Sequence, residues 1–200
     1  MAAISFEKFF KDSERGKFLS RLFGIFSEEI VRIWCGDTRS RYEDLGRPTL
    51  KKNGEKRGRT LDFTFKSRKD GSIYVGELKC ELEYQNYRYL TLKEPSQLEH
   101  HKGKANEDTG FKRFLDMARD PKQYTVNGKN YTVSGAVLVW GSVTDEGGEA
   151  VMKEYGLADV LSLQEIVDDL VKWNNRKYYE LVEERAKWCQ ELFEFLKGNT

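Results

Sequence analysis

The feature that most constrains this chain is a pair of strand-like segments closed by a tight turn, with ionisable residues at the open end. The first segment is Arg59-Thr60-Leu61-Asp62-Phe63-Thr64-Phe65, and the second runs Ser72-Ile73-Tyr74-Val75-Gly76-Glu77-Leu78-Lys79-Cys80-Glu81. Asp70-Gly71 lies between them and suits the two central residues of a type I′ hairpin turn. In that register Asp62 faces Lys79 and Thr64 faces Glu77. A longer loop over residues 68–71 instead sets Ser67 against Ser72 and Asp62 against Glu77. Either register places Asp62, Glu77 and Lys79 on one face, with opposed Cβ atoms ~5 Å apart and diagonal ones ~7 Å apart. Alternation carries Ile73, Val75, Glu77, Lys79 and Glu81 on that face, apolar early and charged late. A strand of this kind leaves a core and enters a cleft.

Two carboxylates and a lysine in such a grouping suit phosphodiester hydrolysis. A divalent ion supplies Lewis acidity and lowers the pKa of a bound water. Mg²⁺ takes one or two carboxylates and keeps several waters. Asp62 and Glu77 fit as ligands, and Lys79 would sit by the phosphate or the attacking water, offsetting charge or accepting a proton. In a chain this rich in Glu, Asp and Lys, about three acid-x-lysine triplets arise by chance. Two occur, and Asp120-Pro121-Lys122 falls at a helix end rather than in a strand. The competing reading is an exposed sheet face on which Glu77 and Lys79 form cross-strand ion pairs worth ~0.5 kcal/mol.

With Asp62, Glu77-Leu78-Lys79 and the surrounding order of elements, the chain resembles the PD-(D/E)xK nuclease superfamily over roughly residues 17–143. The resemblance implies a restriction-endonuclease-like fold of class α/β: a mixed central sheet flanked by helices, an αβββαβ core, and here extra C-terminal helices. It implies Mg²⁺ (or Mn²⁺) held by Asp62, Glu77 and the Leu78 carbonyl, with Lys79 catalytic. It also implies a glutamate from the first helix near the metal; Glu29 is the best match and Glu28 the second. Leu61 stands where many members carry a proline before the first acid.

The remaining pattern fits that order. Leu19, Leu22, Phe23, Phe26, Ile30, Ile33 and Trp34 form one helical stripe over residues 17–34, with Gly36 as a stop signal. Glu29 lies on the edge of that stripe and Glu28 points away from it. Residues 42–50 read as an edge strand, because Pro48 excludes a central one, and a second hairpin links it to Asp62. Arg47, Lys51, Lys52, Lys56, Arg57 and Arg59 make residues 47–59 strongly basic, around an Asn53-Gly54 turn. These six are the expected contacts to a phosphate backbone; a solvated loop is the alternative. A helix over about 108–120 buries Phe111, Phe114, Leu115 and Ala118 and stops at Pro121. Asn127-Gly128 marks a short hairpin, and Ala136-Val137-Leu138-Val139-Trp140 a buried strand. Val160-Leu161 is a last strand fragment, and Ser162 with Glu165 caps a helix reaching about 197 with a break at Asn174-Asn175. Tyr178, Leu181, Trp188, Leu192 and Phe195 form a stripe for packing or for a dimer seam. His100-His101 reads as an exposed polar pair. Gln85 and Tyr89 follow Lys79 too closely for an exonuclease Gln-x-x-x-Tyr motif. Glu81 and Glu83 could extend the acidic cluster or simply be solvated.

Lys+Arg 34 nearly cancels Asp+Glu 33, so any basic surface is local. The chain has Cys 3, an odd and widely spaced set that forms neither a disulfide framework nor a zinc knuckle. No stretch reads as a secretory signal, and no apolar run approaches the ~20 residues that span a bilayer. The expectation is an intracellular, cytoplasmic protein with no membrane partner. It is a single nuclease-like domain over 1–200, with 160–200 as a C-terminal helical extension. The expected activity is metal-dependent endonucleolytic hydrolysis of duplex or branched DNA, junction-resolving or restriction-like, by a homodimer. Two rivals stand beside it: a non-catalytic nucleic-acid-binding module on the same fold, and an interaction protein assembling through its C-terminal helix.

Overall fold

The computed structural model describes residues 4–11, 13–80, 82, 84–104, 107–126 and 131–198. Ser5 caps the short helix α1 (Phe6–Phe10), which folds back on α2 (Ser13–Gly36). Strand β1 (Tyr42–Asp44) follows. The basic stretch then forms a hairpin of β2 (Thr49–Lys52) and β3 (Arg59–Thr60). The acidic hairpin is β4 (Phe63–Ser67) and β5 (Ile73–Lys79). A single turn, α3 (Tyr84–Tyr87), leads to β6 (Thr91–Leu92) and a 3₁₀ helix at Pro95–Lys102. Thr109 caps α4 (Gly110–Arg119), after which come β7 (Tyr124–Val126), β8 (Val133–Trp140) and β9 (Ser142–Val143). The chain closes with α5 (Asp145–Tyr155), β10 (Asp159–Ser162), α6 (Leu163–Lys172) and α7 (Arg176–Leu196).

The central sheet has the order β1-β4-β5-β8-β10. Its β1, β4 and β5 are antiparallel neighbours, whereas β8 runs parallel to both β5 and β10. The fold is therefore α/β with a mixed sheet, flanking helices and additional helices at the C-terminus. Pleating divides the core. Phe63, Phe65, Leu78, Val137 and Val139 pack beneath α2 and α6, and Val75, Ala136, Leu138 and Trp140 pack beneath α4 and α5. Phe65, fully buried and stacked on Phe63 at 5.1 Å, anchors the first layer; its truncation to alanine should cost about 3–5 kcal/mol. Gly76 sits against that ring, where a Cβ would come within 2.4 Å of it, so β5 must carry a glycine there.

The sheet also settles the hairpin register. Phe63 pairs with Gly76 and Lys66 with Ile73, and the Ser67 amide donates to the Ser72 carbonyl at 2.8 Å. The loop is thus residues 68–71, Asp62 stands opposite Glu77, and the type I′ alternative is excluded. The single edge strand expected over residues 42–50 is split: β1 takes the edge of the central sheet, Pro48 lies in the gap, and Thr49 and Leu50 belong to β2 of a different sheet. The second hairpin pairs within a separate small sheet, β3-β2-β7. Helix α5 has no counterpart in the sequence-based order, because Gly147-Gly148 weakens the helical signal. Those glycines answer to packing: a Cβ on Gly147 would lie 2.4 Å from the Leu92 carbonyl oxygen. The expected Asn127-Gly128 hairpin, Glu81 and Glu83 lie outside the described residues.

The C-terminal helix breaks where expected, at Asn174 with φ 49°. Its stripe packs only at the start: Leu181 is buried, but Trp188, Leu192 and Phe195 are half or more exposed. Cys35, Cys80 and Cys189 form no disulfide among the described residues. Among the described residues no helix is long and apolar enough to cross a membrane.

Candidate active site

Strand β5 outruns β4. The ladder with β4 stops at the Phe63–Gly76 pair, while Glu77, Leu78 and Lys79 continue to pair with Leu138, Val139 and Trp140 of β8. Three residues of β5 therefore have one open edge. Asp62, just before β4, fills it: its Oδ2 accepts the Leu78 amide at 2.9 Å. The N–H and C=O of one strand residue point to the same side. The Leu78 carbonyl hence faces the same open edge as the Asp62 carboxylate.

Alternation turns Glu77 and Lys79 toward the α4 layer. Lys79 Nζ donates to Glu77 Oε1 at 2.7 Å and lies 5.2 Å from the centroid of the Phe111 ring. Glu77 is 7% exposed, and its Oε2 has no hydrogen-bond partner among the described residues. Burial pushes the Glu77 carboxyl up to about 7; the Lys79 ammonium pulls it down, and the Asp62 carboxylate pushes it up again. Burial also raises Asp62, against the pull of the Leu78 amide. An acid with an orphaned, desolvated oxygen beside a second acid is a cation-seeking arrangement.

The helix acid beside Asp62 is Glu28, not Glu29. Arg47 Nη2 lies 2.9 Å from Glu28 Oε2 and 3.6 Å from Asp62 Oδ1, so one guanidinium spans both carboxylates. The Glu28 charge also helps to raise Asp62. Arg32 bonds Glu28 at 3.2 Å, lies 3.5 Å from Asp44 and donates to the Asp62 carbonyl at 3.3 Å. Glu29 instead pairs with Arg185 of α7 at 2.6 Å. The reason lies in how α2 is covered. Its large apolar stripe serves α1, α6 and α7, whereas the side toward the open strand edge is built of smaller groups: Gly24 approaches the Cys80 carbonyl, and Ser27 and Val31 are fully buried. An apolar stripe identifies a buried face without saying which neighbour buries it.

Of the six basic residues, Arg47 alone reaches the acids. Lys51 is half-buried in β2; Lys52, Lys56, Arg57 and Arg59 are exposed along the hairpin. Arg59 bonds Asp108 and Arg113 bonds both Asp108 and Glu55, which ties the hairpin to α4 and to the rim of the site. The histidines depart from expectation. His100 is exposed, but His101 is half-buried against Phe111 and Trp140, and burial pushes it down to about 4, with Lys79 acting in the same direction. His101, Trp140 and Phe111 thus wall the site, and no ligand-like spacing in the sequence announced them. Glu28 and Arg32 did leave a signal, an acid and a base one helical turn apart.

Asp62, Glu77 and the Leu78 carbonyl are the groups that could hold a divalent ion here, with Glu28 behind them. No cluster of three His, Cys, Asp or Glu side chains forms among the described residues. Two carboxylates and a carbonyl nevertheless suit an ion that keeps most of its waters. Comparison with family models, curated proteins and solved structures finds nothing that matches this chain.

Proposed function

We propose that the protein is a Mg²⁺-dependent endonuclease of the PD-(D/E)xK superfamily that hydrolyses DNA phosphodiester bonds. The observation that carries this reading is the buried Oε2 of Glu77, which accepts no hydrogen bond among the described residues and faces the Asp62 carboxylate, two residues from Lys79. The order of helix α2, strands β1, β4 and β5, helix α4 and strand β8 supports it, because it repeats the αβββαβ core that the family resemblance implies.

In this reading Asp62, Glu77 and the Leu78 carbonyl would hold the ion, and Glu28 is tied to Asp62 through Arg47 and Arg32. Bound Mg²⁺ supplies Lewis acidity toward the phosphate and lowers the pKa of a coordinated water. Glu77 must lose its proton for that role. Lys79, 2.7 Å from Glu77, would offset charge on the phosphate or act on the attacking water. Arg47, held between Glu28 and Asp62, contributes positive charge toward the backbone. Lys51, Lys52, Lys56, Arg57 and Arg59 extend that charge along the β2–β3 hairpin. A homodimer built on the exposed apolar side of α7 would bring two sites to a duplex or branch.

A second reading rests on one specific observation. The Lys79–Glu77 pair at 2.7 Å and the Arg47 bridge already satisfy much of the charge internally, as in a binding module that never cuts. The experiment that separates the two is cleavage of supercoiled plasmid and of a four-way junction in Mg²⁺, Mn²⁺ or EDTA. Metal-dependent cutting abolished by Lys79→Ala supports the nuclease. Salt-sensitive binding without cutting in either metal moves the function to recognition.

A further inference from the structure

Beside Lys79 the chain builds one continuous aromatic cluster. Phe111 lies under the Lys79 ammonium, and His101 meets both Phe111 at 5.5 Å and Trp140 at 5.4 Å, edge-on. His100 lies 5.1 Å from His101, and Tyr84 stacks on His100 with centroids 4.2 Å apart and planes at 21°. Tyr89 closes the group, 5.2 Å from His100 and 5.5 Å from Tyr84.

The cluster is graded from inside to outside. Trp140 is 1% exposed, Phe111 3% and Tyr89 7%, whereas Tyr84 is 38% exposed and His100 is exposed beside it. The Trp140 indole N–H is fixed on the Tyr89 carbonyl at 2.7 Å, so the inner rings are anchored and hold the outer pair flat. Tyr84 stands at the start of a turn in which Gln85, Asn86 and Tyr87 all hold left-handed φ, 46°, 57° and 65°. Such conformations are costly for residues other than glycine. The turn sends Tyr87 inward and leaves Tyr84 at the surface. Arg88 adds a cation over the Tyr89 ring at 6.0 Å.

We propose that the Tyr84–His100 pair is a stacking subsite for an unpaired nucleobase of the strand whose phosphate lies at Asp62, Glu77 and Lys79. This rests on the nuclease reading and deepens it by naming the substrate class. An exposed stacked pair joined through His101 and Phe111 to Lys79 offers what single-stranded nucleic acid binds, a π surface along the way from a cation, and every base has a face to offer. Bases inside a continuous duplex expose only their edges. The preferred substrate is therefore DNA with unpaired bases at the cleavage point: a single strand, a frayed end or a branch.

The test uses an oligonucleotide carrying a fluorescent purine analogue that is quenched on stacking, as a single strand and as a blunt continuous duplex. The full chain is titrated in Ca²⁺. Quenching is expected on the single strand only. Tyr84→Ala and His100→Ala should abolish it and weaken single-strand binding about 5- to 150-fold, the range found for losing one stacked base. Tyr84→Phe keeps the ring and should bind like the parent, and thermal melts verify that each variant is folded. Unchanged quenching and affinity in folded Tyr84→Ala and His100→Ala would overturn the subsite, as would an equal loss on the duplex. A chain that quenches as described yet cuts nothing in Mg²⁺ overturns the nuclease reading and leaves the subsite standing.

Discussion

The open end of β5 and the outer side of α7 break the usual partition of groups in opposite senses. At β5 a carboxylate is buried at 7% exposure with one oxygen that accepts no hydrogen bond among the described residues; along α7, Trp188, Leu192 and Phe195 are 50%, 54% and 63% exposed. Scattered exposed apolar residues are ordinary, but a buried acid oxygen without a donor costs free energy unless something compensates it. The contrast bears on the proposal: a bound cation would relieve the β5 anomaly, and the α7 anomaly needs at most a neighbour.

The largest expected effect tests the first half of that contrast. Lys79→Ala or Asp62→Ala should lower metal-dependent cleavage by about 10²–10⁴-fold or more, with an unchanged circular dichroism spectrum. Retained cleavage would place the chemistry elsewhere.

Adjacent residues on α2 sharpen the comparison. Glu28→Gln should reduce cleavage about 10- to 100-fold, because it supports the acids through Arg47 and Arg32. Glu29→Gln should leave cleavage unchanged and lower the melting temperature by about 1–2 °C, since its partly exposed pair with Arg185 is worth about 0.5 kcal/mol. The reverse pattern in a side-by-side assay would restore Glu29 to the site.

Stability should also report Glu77 directly. Its folded pKa of about 7 is raised above the ordinary carboxylate value, so the native state holds a proton that the unfolded chain has lost. In EDTA the Glu77 contribution is present below about pH 4.5 and is lost as pH rises through about 7, an effect on the order of a few kcal/mol. Glu77→Gln should flatten that slope in denaturant melts, and Mg²⁺ should restore parental stability above pH 7. A parental profile flat across this window would mean the acid is not desolvated.

The smallest effect belongs to α7. Leu192→Lys should change unfolding free energy by only about 0.5 kcal/mol, as for other surface positions. If the outer side of α7 is the dimer seam, the same change should halve the mass measured by light scattering. An unchanged mass would remove α7 from that role.

Much of this was legible from the chain alone. Alternation fixed that Glu77 and Lys79 share a strand face, because the side-chain period of a strand is independent of its neighbours; Asp62, expected on the same face, stands just before β4 with its carboxylate on the open edge at the Leu78 amide. The α/β class, the Pro48-limited edge, the Pro121 stop and the Asn174 break were also readable, since each follows from local backbone preference. The tertiary structure alone decided the rest. The loop at 68–71, and with it the Asp62–Glu77 pairing, was chosen by the whole ladder, not by Asp70-Gly71. Glu28 displaced Glu29 because helical periodicity reports burial without naming the partner that buries. The orphaned oxygen of Glu77 and the ring stack beside Lys79 exist because β5 outruns β4 and packs beside α4. Those are distances between segments remote in sequence, and no local pattern encodes them.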